Sequence, residues 1–349
     1  MKKIAIVIDS ISSGGIARVC SILSGGFFQS DNQITIYSVL DSAFDSLYHF
    51  DEGITFSFNQ NHKSYISRLC EIKEGLKQQQ PDSVLVLSMG KLSVFFSLLI
   101  IGMKSQRVSC EHIGFATFSL PIKVLKVMSF LIYDKVAVLT NIDKKKLSFL
   151  GNKVECICNP SPFEPVAVRD DTAYRTALAV GHLIPRKSYD RLLPIWAKFI
   201  VAAPEWKLRI VGCGECFQQI DDYITLHGLE NSVEIISETT AIDTFYATSS
   251  VLLSTSRAEG LPMTFIEAMS FGIPVIAYDV PTGPADLIDD GINGYLIEDG
   301  NEHDFLQALN KLLSDEKLAQ LSEGAQRKSQ LFTIDNILKD WDSFLNEHN

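Results

Sequence analysis

Residues 258–279 of this 349-residue chain have the sequence AEGLPMTFIEAMSFGIPVIAYD, in which Glu259 and Glu267 bracket a short apolar segment. Pro262 suits the first turn of a helix, because its missing N–H would have no partner there. Gly272 suits the end of that helix, since glycine readily adopts the left-handed conformation of a helix stop. The stretch therefore predicts a loop, a short helix and a buried strand, which together are typical of an α/β sheet.

The two glutamates flank the start of this predicted helix. Backbone N–H groups and a partial positive charge at a helix N-terminus favour a phosphate. Glu267 lies about one turn inside the helix, where its carboxylate can accept hydrogen bonds from a diol such as ribose. Glu259 lies in the loop and can meet a second hydroxylated group. The layout suits a nucleotide sugar, although either carboxylate alone is equally well explained by its interaction with the helix dipole.

The whole string resembles the signature of glycosyltransferase family 4, whose members are retaining, nucleotide-sugar-dependent transferases of the GT-B architecture. The resemblance continues through residues 280–284 (VPTGP) and 290–296 (DGINGYL). It implies that Glu259 contacts the hydroxyls of the donor sugar and that Glu267 contacts the ribose. It also implies that backbone N–H groups of the intervening segment contact the sugar and the diphosphate, namely those of Gly260, Leu261, Met263 and Thr264.

Short strand-like runs alternate with helix-like stretches in both halves of the chain. In the first half these runs are residues 4–9, 33–40, 83–88, 107–110, 135–139 and 153–157. In the second half they are residues 177–180, 206–212, 233–236, 251–254, 274–278 and 294–297. The alternation predicts an α/β fold with two Rossmann-like parallel sheets, which in the GT-B resemblance face each other across a cleft.

A proline-rich segment, Pro160 to Asp171, interrupts the pattern and predicts a linker. We therefore expect a first domain at residues 1–165, on the acceptor side, and a nucleotide-sugar-binding domain at residues 166–332. Residues 333–349 predict an amphipathic helix whose apolar side carries Ile334, Ile337, Leu338, Trp341, Phe344 and Leu345. The resemblance implies that this helix crosses back and packs on the first domain.

The first predicted strand is followed by Gly14 and Gly15, at the start of a helix that carries Arg18. Paired glycines let backbone N–H groups approach a ligand closely, but they also occur in ordinary tight turns. Here they resemble the GG-x-x-R element of family 4, which faces the donor and acceptor. Arg18 is equally compatible with a solvated or ion-paired residue.

The second domain opens with VGHLIPRKS at residues 180–188. Family 4 usually has an arginine directly after this glycine and a lysine five residues later, both of which neutralise the donor diphosphate. Lys187 matches the lysine, whereas His182 replaces the arginine, so Arg186 or a protonated imidazole would have to supply that charge. Gly212 matches a glycine turn of the family, and Ile236 lies where the backbone of the family meets the base.

His112 follows the strand-like run at residues 107–110. A lone histidine is more often structural, but family 4 has a histidine here that contacts the reacting sugar. The resemblance therefore implies that His112, Glu259 and Lys187 are catalytic, with Glu111 as an orienting or acceptor-side partner. In a front-face reaction the leaving diphosphate itself would deprotonate the acceptor, while Lys187 stabilises its charge.

The net charge of −11 is unevenly distributed, since residues 1–165 carry +3 and residues 166–349 carry −14. The acidic total and the absence of a basic stripe with aromatic residues argue against nucleic-acid binding. Seven lysines lie between Lys123 and Lys153. With the apolar stretch at residues 120–135 they favour contact with an anionic membrane surface, although a core helix with two snorkelling lysines fits equally well.

The longest apolar run, residues 92–103, is too short to span a membrane. Seven scattered cysteines and the lack of a secretory leader favour a reduced cytoplasm. The Cys213–Cys216 pair has redox-motif spacing but lacks a second pair for zinc. None of the motifs assigned to the donor contains a D-x-D sequence, so we expect no metal.

We therefore predict an enzyme that transfers a hexose or N-acetylhexosamine from a nucleotide sugar to a lipid-linked oligosaccharide or a growing surface polysaccharide, such as lipopolysaccharide, O-antigen or capsule. A UDP-sugar is the favoured donor and a GDP-sugar the alternative. We expect the enzyme to lie on the inner face of the cytoplasmic membrane. The alternatives are an epimerase or phosphorylase of the same architecture and a non-catalytic donor-binding scaffold, which the histidine at position 182 would fit.

Overall fold

The structure is a computed structural model that describes residues 1–166, 174–237, 239 and 241–347. It divides into two compact units, one of residues Met1–Pro160 with Ile334–Asn349 and one of Ser161–Thr333. The boundary between the first unit and the second therefore falls after Pro160, whereas the sequence pattern predicts this boundary after residue 165. Part of the predicted linker, residues 167–171, lies outside the described residues.

The first unit contains a parallel sheet with strand order β3-β2-β1-β4-β5-β6-β7. The strands are β1 (Lys3–Ile8), β2 (Gln33–Ser38), β3 (Thr55–Ser57), β4 (Ser83–Ser88), β5 (Gln106–Glu111), β6 (Lys135–Val138) and β7 (Val154–Cys156). The helices are α1 (Gly15–Gln29), α2 (Tyr65–Gln79), α3 (Lys91–Leu99), α4 (Leu120–Ile132) and α5 (Asn141–Lys146). Every residue of β4 is buried, as expected for a central parallel strand covered on both faces.

The second unit repeats this plan with strand order β10-β9-β8-β11-β12-β13. Its strands are β8 (Thr176–Val180), β9 (Lys207–Val211), β10 (Val233–Ile236), β11 (Val251–Ser254), β12 (Val275–Asp279) and β13 (Gly294–Glu298). Its helices are α6 (Tyr189–Ala202), α7 (Phe217–Leu226), α8 (Ile242–Ala247), α9 (Met263–Ser270), α10 (Pro284–Leu287), α11 (Glu302–Lys311) and α12 (Asp315–Ser329). In both sheets the strand order reverses beside the first strand, and such switch points of parallel sheets bind ligands at the carboxyl ends of the strands.

The prediction of two Rossmann-like parallel-sheet domains is confirmed, because each strand-like run of the sequence matches an observed strand to within two residues. Strand β3 is not predicted, since three residues at a sheet edge are too short to show a pattern. In the stretch at residues 258–279, Pro262 lies directly before the first turn of α9, not within it. Gly272 has φ +69° and follows the last turn, as predicted.

Helix α13 (Ile334–Asn346) belongs to the first unit and packs against α1. Trp341 meets Phe27 edge to face, with ring centroids 6.2 Å apart. At Gly26 an added Cβ would lie 2.8 Å from Ile334, so the two helices approach closely where α1 has no side chain. The last two residues of the predicted tail, 348 and 349, lie outside the described residues.

Two of the lysines expected to face a membrane are instead buried inside the first unit. Lys126 is fully buried and pairs with Glu111, and Lys135 is buried and donates to the carbonyls of Phe344 and Glu347. The sequence pattern was misleading because it groups lysines by spacing, whereas Lys126 turns inward to neutralise the buried carboxylate beside it. Glu111 is therefore buried as the ion-pair partner of Lys126.

No helix among the described residues combines the length and the apolarity that crossing a bilayer requires.

Candidate functional site

The loop between β11 and α9 carries Glu259 and rests on the segment after β12. Gly283 has φ +93°, and a Cβ there would lie 1.9 Å from the carbonyl oxygen of Gly260, so only glycine fits. The hydroxyl of Thr282 donates to the carbonyl of Glu259. The two motifs separated in sequence, residues 258–270 and 280–284, therefore form one surface, with the second supporting the loop of the first.

The carboxylate of Glu259 forms the centre of a charged cluster in the second unit. Lys187 Nζ lies 2.7 Å from Glu259 Oε1, and Arg186 Nη1 lies 3.5 Å from Oε2. Arg186 also donates to the carbonyl of Ala258 at 3.0 Å. Glu259 is 7% exposed, so its charge is largely removed from water and needs these cations. The structure thus brings together three predicted donor-binding residues, from two loops that are far apart in sequence.

Lys187 is held in place by the turn that follows β8. Residues Pro185–Lys187 form one short helical turn, and the Lys187 side chain runs over Gly181, where an added Cβ would lie 3.0 Å from Lys187 Cε. His182 lies between β8 and this helical turn, and it is exposed. The turn therefore directs one lysine at Glu259, while His182 stays at the surface.

Gly212 and Ile236 lie beside this turn, at the carboxyl ends of β9 and β10. Gly212 has φ +155°, and an added Cβ would lie 2.1 Å from the carbonyl oxygen of Gly181. The Gly212 N–H donates to the carbonyl of Ile236 at 2.9 Å. The carbonyl of Ile236 therefore already accepts one bond within the sheet, and Gly212 packs against the turn that holds Lys187.

Glu267 lies within α9 and is 3% exposed. The hydroxyl of Tyr246, on α8, donates to Glu267 Oε2 at 2.9 Å. The ring of Tyr246 stacks on Phe271, which fixes the direction of its hydroxyl. Tyr246 is a functional candidate that sequence reasoning missed, because it belongs to no motif and is identified by its hydrogen bond to Glu267.

The first residues of α9 complete this surface. Gly260, Leu261, Met263 and Thr264 form the end of the loop and the opening turn of the helix. Pro262 immediately precedes the helix, and the carbonyl of Pro262 accepts from the Phe265 N–H at 3.0 Å. No side chain in the described ranges caps this helix start, which directly follows the loop that carries Glu259.

A groove of about 660 Å³ adjoins this cluster on the α6–α7 side. Arg186 and Pro185 line it, and Arg257, which forms a bidentate ion pair with Asp190, borders it. Neither Lys187 nor Glu259 is among its lining residues. The groove and the charged cluster therefore share Arg186 but are separate features.

In the first unit, the glycine loop opens α1. Gly14 has φ +90° and precedes the helix, Gly15 is its first residue, and an added Cβ at either would meet nothing within 4 Å. Arg18 follows one turn later. Asp41 fixes the preceding loop by accepting from the Ser10 hydroxyl and the Ile11 N–H, both at 2.7 Å. Sequence reasoning missed this role of Asp41.

His112 directly follows β5, and its N–H donates to the carbonyl of Ser88 at 3.0 Å. Both ring nitrogens are buried and have no hydrogen-bond partner within the described parts of the chain. Burial lowers the pKa of His112 to about 4, because the charged imidazolium would lose its hydration. The imidazole is therefore neutral near pH 7, and it can donate or accept a hydrogen bond without carrying charge.

This depressed pKa gives a pH-dependent stability that can be measured. The neutral imidazole is favoured by the fold, so its contribution is complete above the ordinary value of 6.5 and is lost as the pH falls toward 4. We expect urea unfolding of the wild type to lose more stability between pH 6.5 and 4 than His112→Gln does. His303→Gln, at an exposed histidine, is the control and should behave like the wild type. Equal losses in the wild type and His112→Gln would contradict the prediction.

The chain is similar in sequence to known glycosyltransferases. The family described as "Glycosyl transferases group 1" matches residues 161–328, which include the whole charged cluster. The amylovoran biosynthesis glycosyltransferase AmsD of Erwinia amylovora is 37% identical, over 99% of this chain and 100% of its own. A lipopolysaccharide 1,6-galactosyltransferase of Salmonella typhimurium is 26% identical, over 90% of each chain.

The fold has close counterparts among solved structures. TarM of S. aureus, solved with Fondaparinux, alpha-GlcNAc-glycerol and UDP, superposes with a TM-score of 0.78 at 17% identity. The match covers 99% of this chain and 100% of that one. At this identity the likeness concerns the fold, while the similarity to AmsD along the full length concerns the family. The chain therefore belongs to the group 1 glycosyl transferases.

Proposed function

We propose that the protein is a retaining glycosyltransferase of family 4 that moves a hexose or N-acetylhexosamine from a UDP-sugar to a lipid-linked oligosaccharide or a growing polysaccharide. The observation that carries the proposal is the contact between Lys187 and Glu259 beside the N-terminus of α9. This arrangement offers a cation, helix N–H groups and a carboxylate within one small area. A nucleotide sugar presents the matching diphosphate and hydroxyls.

In this proposal Lys187 and Arg186 neutralise the donor diphosphate, together with the first N–H groups of α9. Glu259 then exchanges its ion pair for hydrogen bonds from the sugar hydroxyls. Glu267 accepts from the ribose, with Tyr246 holding its carboxylate in position. The exposed imidazole of His182 can add charge at the diphosphate only when protonated, so Arg186 is the main substitute for the missing family arginine.

The chemistry that follows from these roles is a front-face displacement. As the bond from the anomeric carbon to the diphosphate oxygen breaks, Lys187, Arg186 and the α9 N-terminus stabilise the negative charge that develops on the diphosphate. The leaving oxygen takes the proton of the acceptor hydroxyl while that hydroxyl bonds to the same face of the anomeric carbon. These protein cations meet the charge demand of the leaving group, and we propose that no metal is required.

The first unit supplies the acceptor side in this proposal. The candidates for contact with the reacting groups are the backbone N–H groups at the start of α1, next to Gly14 and Gly15, and the side chain of Arg18. Because burial keeps His112 neutral, His112 would orient the sugar through a hydrogen bond and not through charge. Two relatives, named for amylovoran and for lipopolysaccharide, support a role in surface polysaccharide assembly. We propose that this role is carried out at the inner face of the cytoplasmic membrane.

UDP is the favoured nucleotide because TarM, which shares the fold, was solved with UDP; GDP is the rival. A non-catalytic donor-binding scaffold is the alternative that one observation favours, namely the exposed histidine at position 182. An epimerase or phosphorylase would need no glycan acceptor. These alternatives are distinguished by whether a nucleoside diphosphate is released and by whether the reaction needs a glycan acceptor.

A donor and acceptor panel tests the proposal. We expect a UDP-hexose or UDP-N-acetylhexosamine to raise the unfolding temperature more than the matching GDP-sugar. UDP release should then require a lipid-linked glycan acceptor, and NMR of the product should show the anomeric configuration of the donor. Turnover without an acceptor, or with free phosphate, would favour an epimerase or a phosphorylase. Donor binding without turnover against any acceptor would favour the scaffold, and an inverted product would refute retention.

A further inference from the structure

Helix α4 presents most of its apolar residues to the surface and buries a lysine. Leu120 is 75% exposed, Met128 59% and Leu131 62%, whereas Lys126 is fully buried. The residues of α4 that are buried are Lys126, Ser129 and Phe130. This is the reverse of an ordinary surface helix, whose apolar stripe faces the core.

The contacts of Lys126 fix this orientation. Its ammonium pairs with Glu111 and donates to Ser93 Oγ at 2.7 Å, and it lies over the rings of Phe118 and Phe130. Rotating α4 to bury its leucines would remove Lys126 and leave the Glu111 carboxylate buried without its cation, which is costly. The apolar residues on the outer side of α4 are therefore held at the surface by the core itself.

Helix α3 extends the same surface. It packs beside α4, where the Tyr133 hydroxyl donates to the carbonyl of Ser93 at 2.9 Å. Both helices connect neighbouring strands in the order β4-β5-β6, so right-handed crossovers put them on the same side of the sheet. The exposed large apolar residues of this surface, called here the α3–α4 apolar face, are Phe95, Leu98, Ile101, Leu120, Ile122, Val124, Leu125, Met128 and Leu131.

The exposed charges within the segment that carries the α3–α4 apolar face are positive. Between residues 83 and 133 the sequence contains a single acidic residue, Glu111, which is buried in its ion pair. Lys91 and Lys104 are exposed and Lys123 is half-buried. An apolar face with cations and no exposed carboxylate on its own two helices complements an anionic lipid surface. A second copy of the chain would instead bring like charges together across a symmetric contact.

We propose that the α3–α4 apolar face inserts into the boundary between headgroups and acyl chains of an anionic phospholipid bilayer. The inference deepens the proposed function and rests on it for the lipid-linked acceptor, but its test needs neither donor nor acceptor. The sequence pattern attributes membrane contact mainly to lysines, whereas this proposal attributes it mainly to apolar side chains. Insertion of these side chains provides most of the binding free energy. Lys91, Lys104 and Lys123 provide a smaller electrostatic contribution.

Vesicle flotation of the full chain tests this proposal. The vesicles contain roughly one-third anionic phospholipid, as on a cytoplasmic leaflet, or phosphatidylcholine alone. We expect Leu125→Gln/Met128→Gln to lower the partition coefficient by about tenfold or more, since several buried methylene groups are lost. The control is Val201→Gln/Leu226→Gln, two residues that are 82% and 79% exposed on helices of the second unit, and it should bind like the wild type. All four positions are exposed, so both variants should fold.

Salt and charge separate the apolar part from the electrostatic part. In about 1 M salt, where exposed charges are screened within about 3 Å, the wild type should keep most of its binding. Lys123→Gln should weaken binding to anionic vesicles only. Loss of all binding in high salt, equal binding by the wild type and Leu125→Gln/Met128→Gln, or no vesicle binding by the wild type would each overturn the proposal. Light scattering that shows a wild-type dimer, abolished by the same double variant, without vesicle binding would assign the face to a second copy instead.

Discussion

Replacement of Lys187 by alanine is expected to lower kcat/KM for glycosyl transfer by about 10²- to 10³-fold, the usual cost of removing one group that stabilises developing negative charge. Lys187 Nζ contacts Glu259 at 2.7 Å, and the lysine side chain is 16% exposed, so little water competes for its charge. Its removal also leaves Glu259 with only the longer contact to Arg186 at 3.5 Å. Both effects act at the same place in the proposed donor site.

The measurement is steady-state release of the nucleoside diphosphate, together with calorimetric donor binding. If Lys187 acts mainly on the leaving group, kcat falls more than donor affinity does. Lys198→Ala is the matched control, because Lys198 lies in the same unit but forms an exposed pair with Glu302. Activity of Lys187→Ala within about threefold of the wild type would refute the role of Lys187 in charge stabilisation.

The second large effect concerns the stability of the first unit. We expect Lys126→Met to lower the free energy of unfolding by about 3–5 kcal/mol, because Glu111 would remain buried without its cation. The hydroxyls of Ser93 and Ser109 still donate to Glu111 Oε1 at 2.8 and 2.7 Å, but they cannot neutralise its charge. The double variant Glu111→Gln/Lys126→Met should recover part of this loss, because it removes both charges together.

Urea unfolding measures both variants. Lys77→Met is the matched control, since Lys77 forms an exposed pair with Glu74 one turn away on a helix, and such pairs contribute little. Its unfolding midpoint should equal that of the wild type. A double variant that is less stable than Lys126→Met would show that the pair itself, and not the stranded carboxylate, dominates the loss.

Sequence alone predicted both sheets because buried parallel strands are short, continuous apolar runs between turn residues. It did not predict the orientation of α4. In the stretch LPIKVLKVMSFLI apolar residues occur on every side, so periodicity does not distinguish a lipid-facing side from a core-facing one. The decisive fact is that Lys126 meets Glu111, and this pairing depends on how β5 and α4 pack.

For the candidate site, the sequence motifs identified Glu259, Glu267 and Lys187 as candidate donor-binding residues. The motifs do not reveal the contacts that these side chains make. Lys187 and Glu259 are separated by 72 positions, so their contact follows from the order of β8 and β11 in the sheet. Tyr246 carries no motif, and its hydrogen bond to Glu267 depends on the packing of α8. The roles of these residues in donor binding remain predictions.

The position of α13 has a consequence for how the chain folds during synthesis. The second unit, Ser161–Thr333, is one continuous stretch, but the first unit needs Ile334–Asn349 as well as Met1–Pro160. At about 5–20 residues per second, roughly ten to thirty seconds separate translation of the two parts. During that interval α13 is absent, so Phe27 and Gly26 on α1 lack the helix that packs against them. The first unit thus stays incomplete, with apolar surface on α1 uncovered, until Trp341 has left the ribosome.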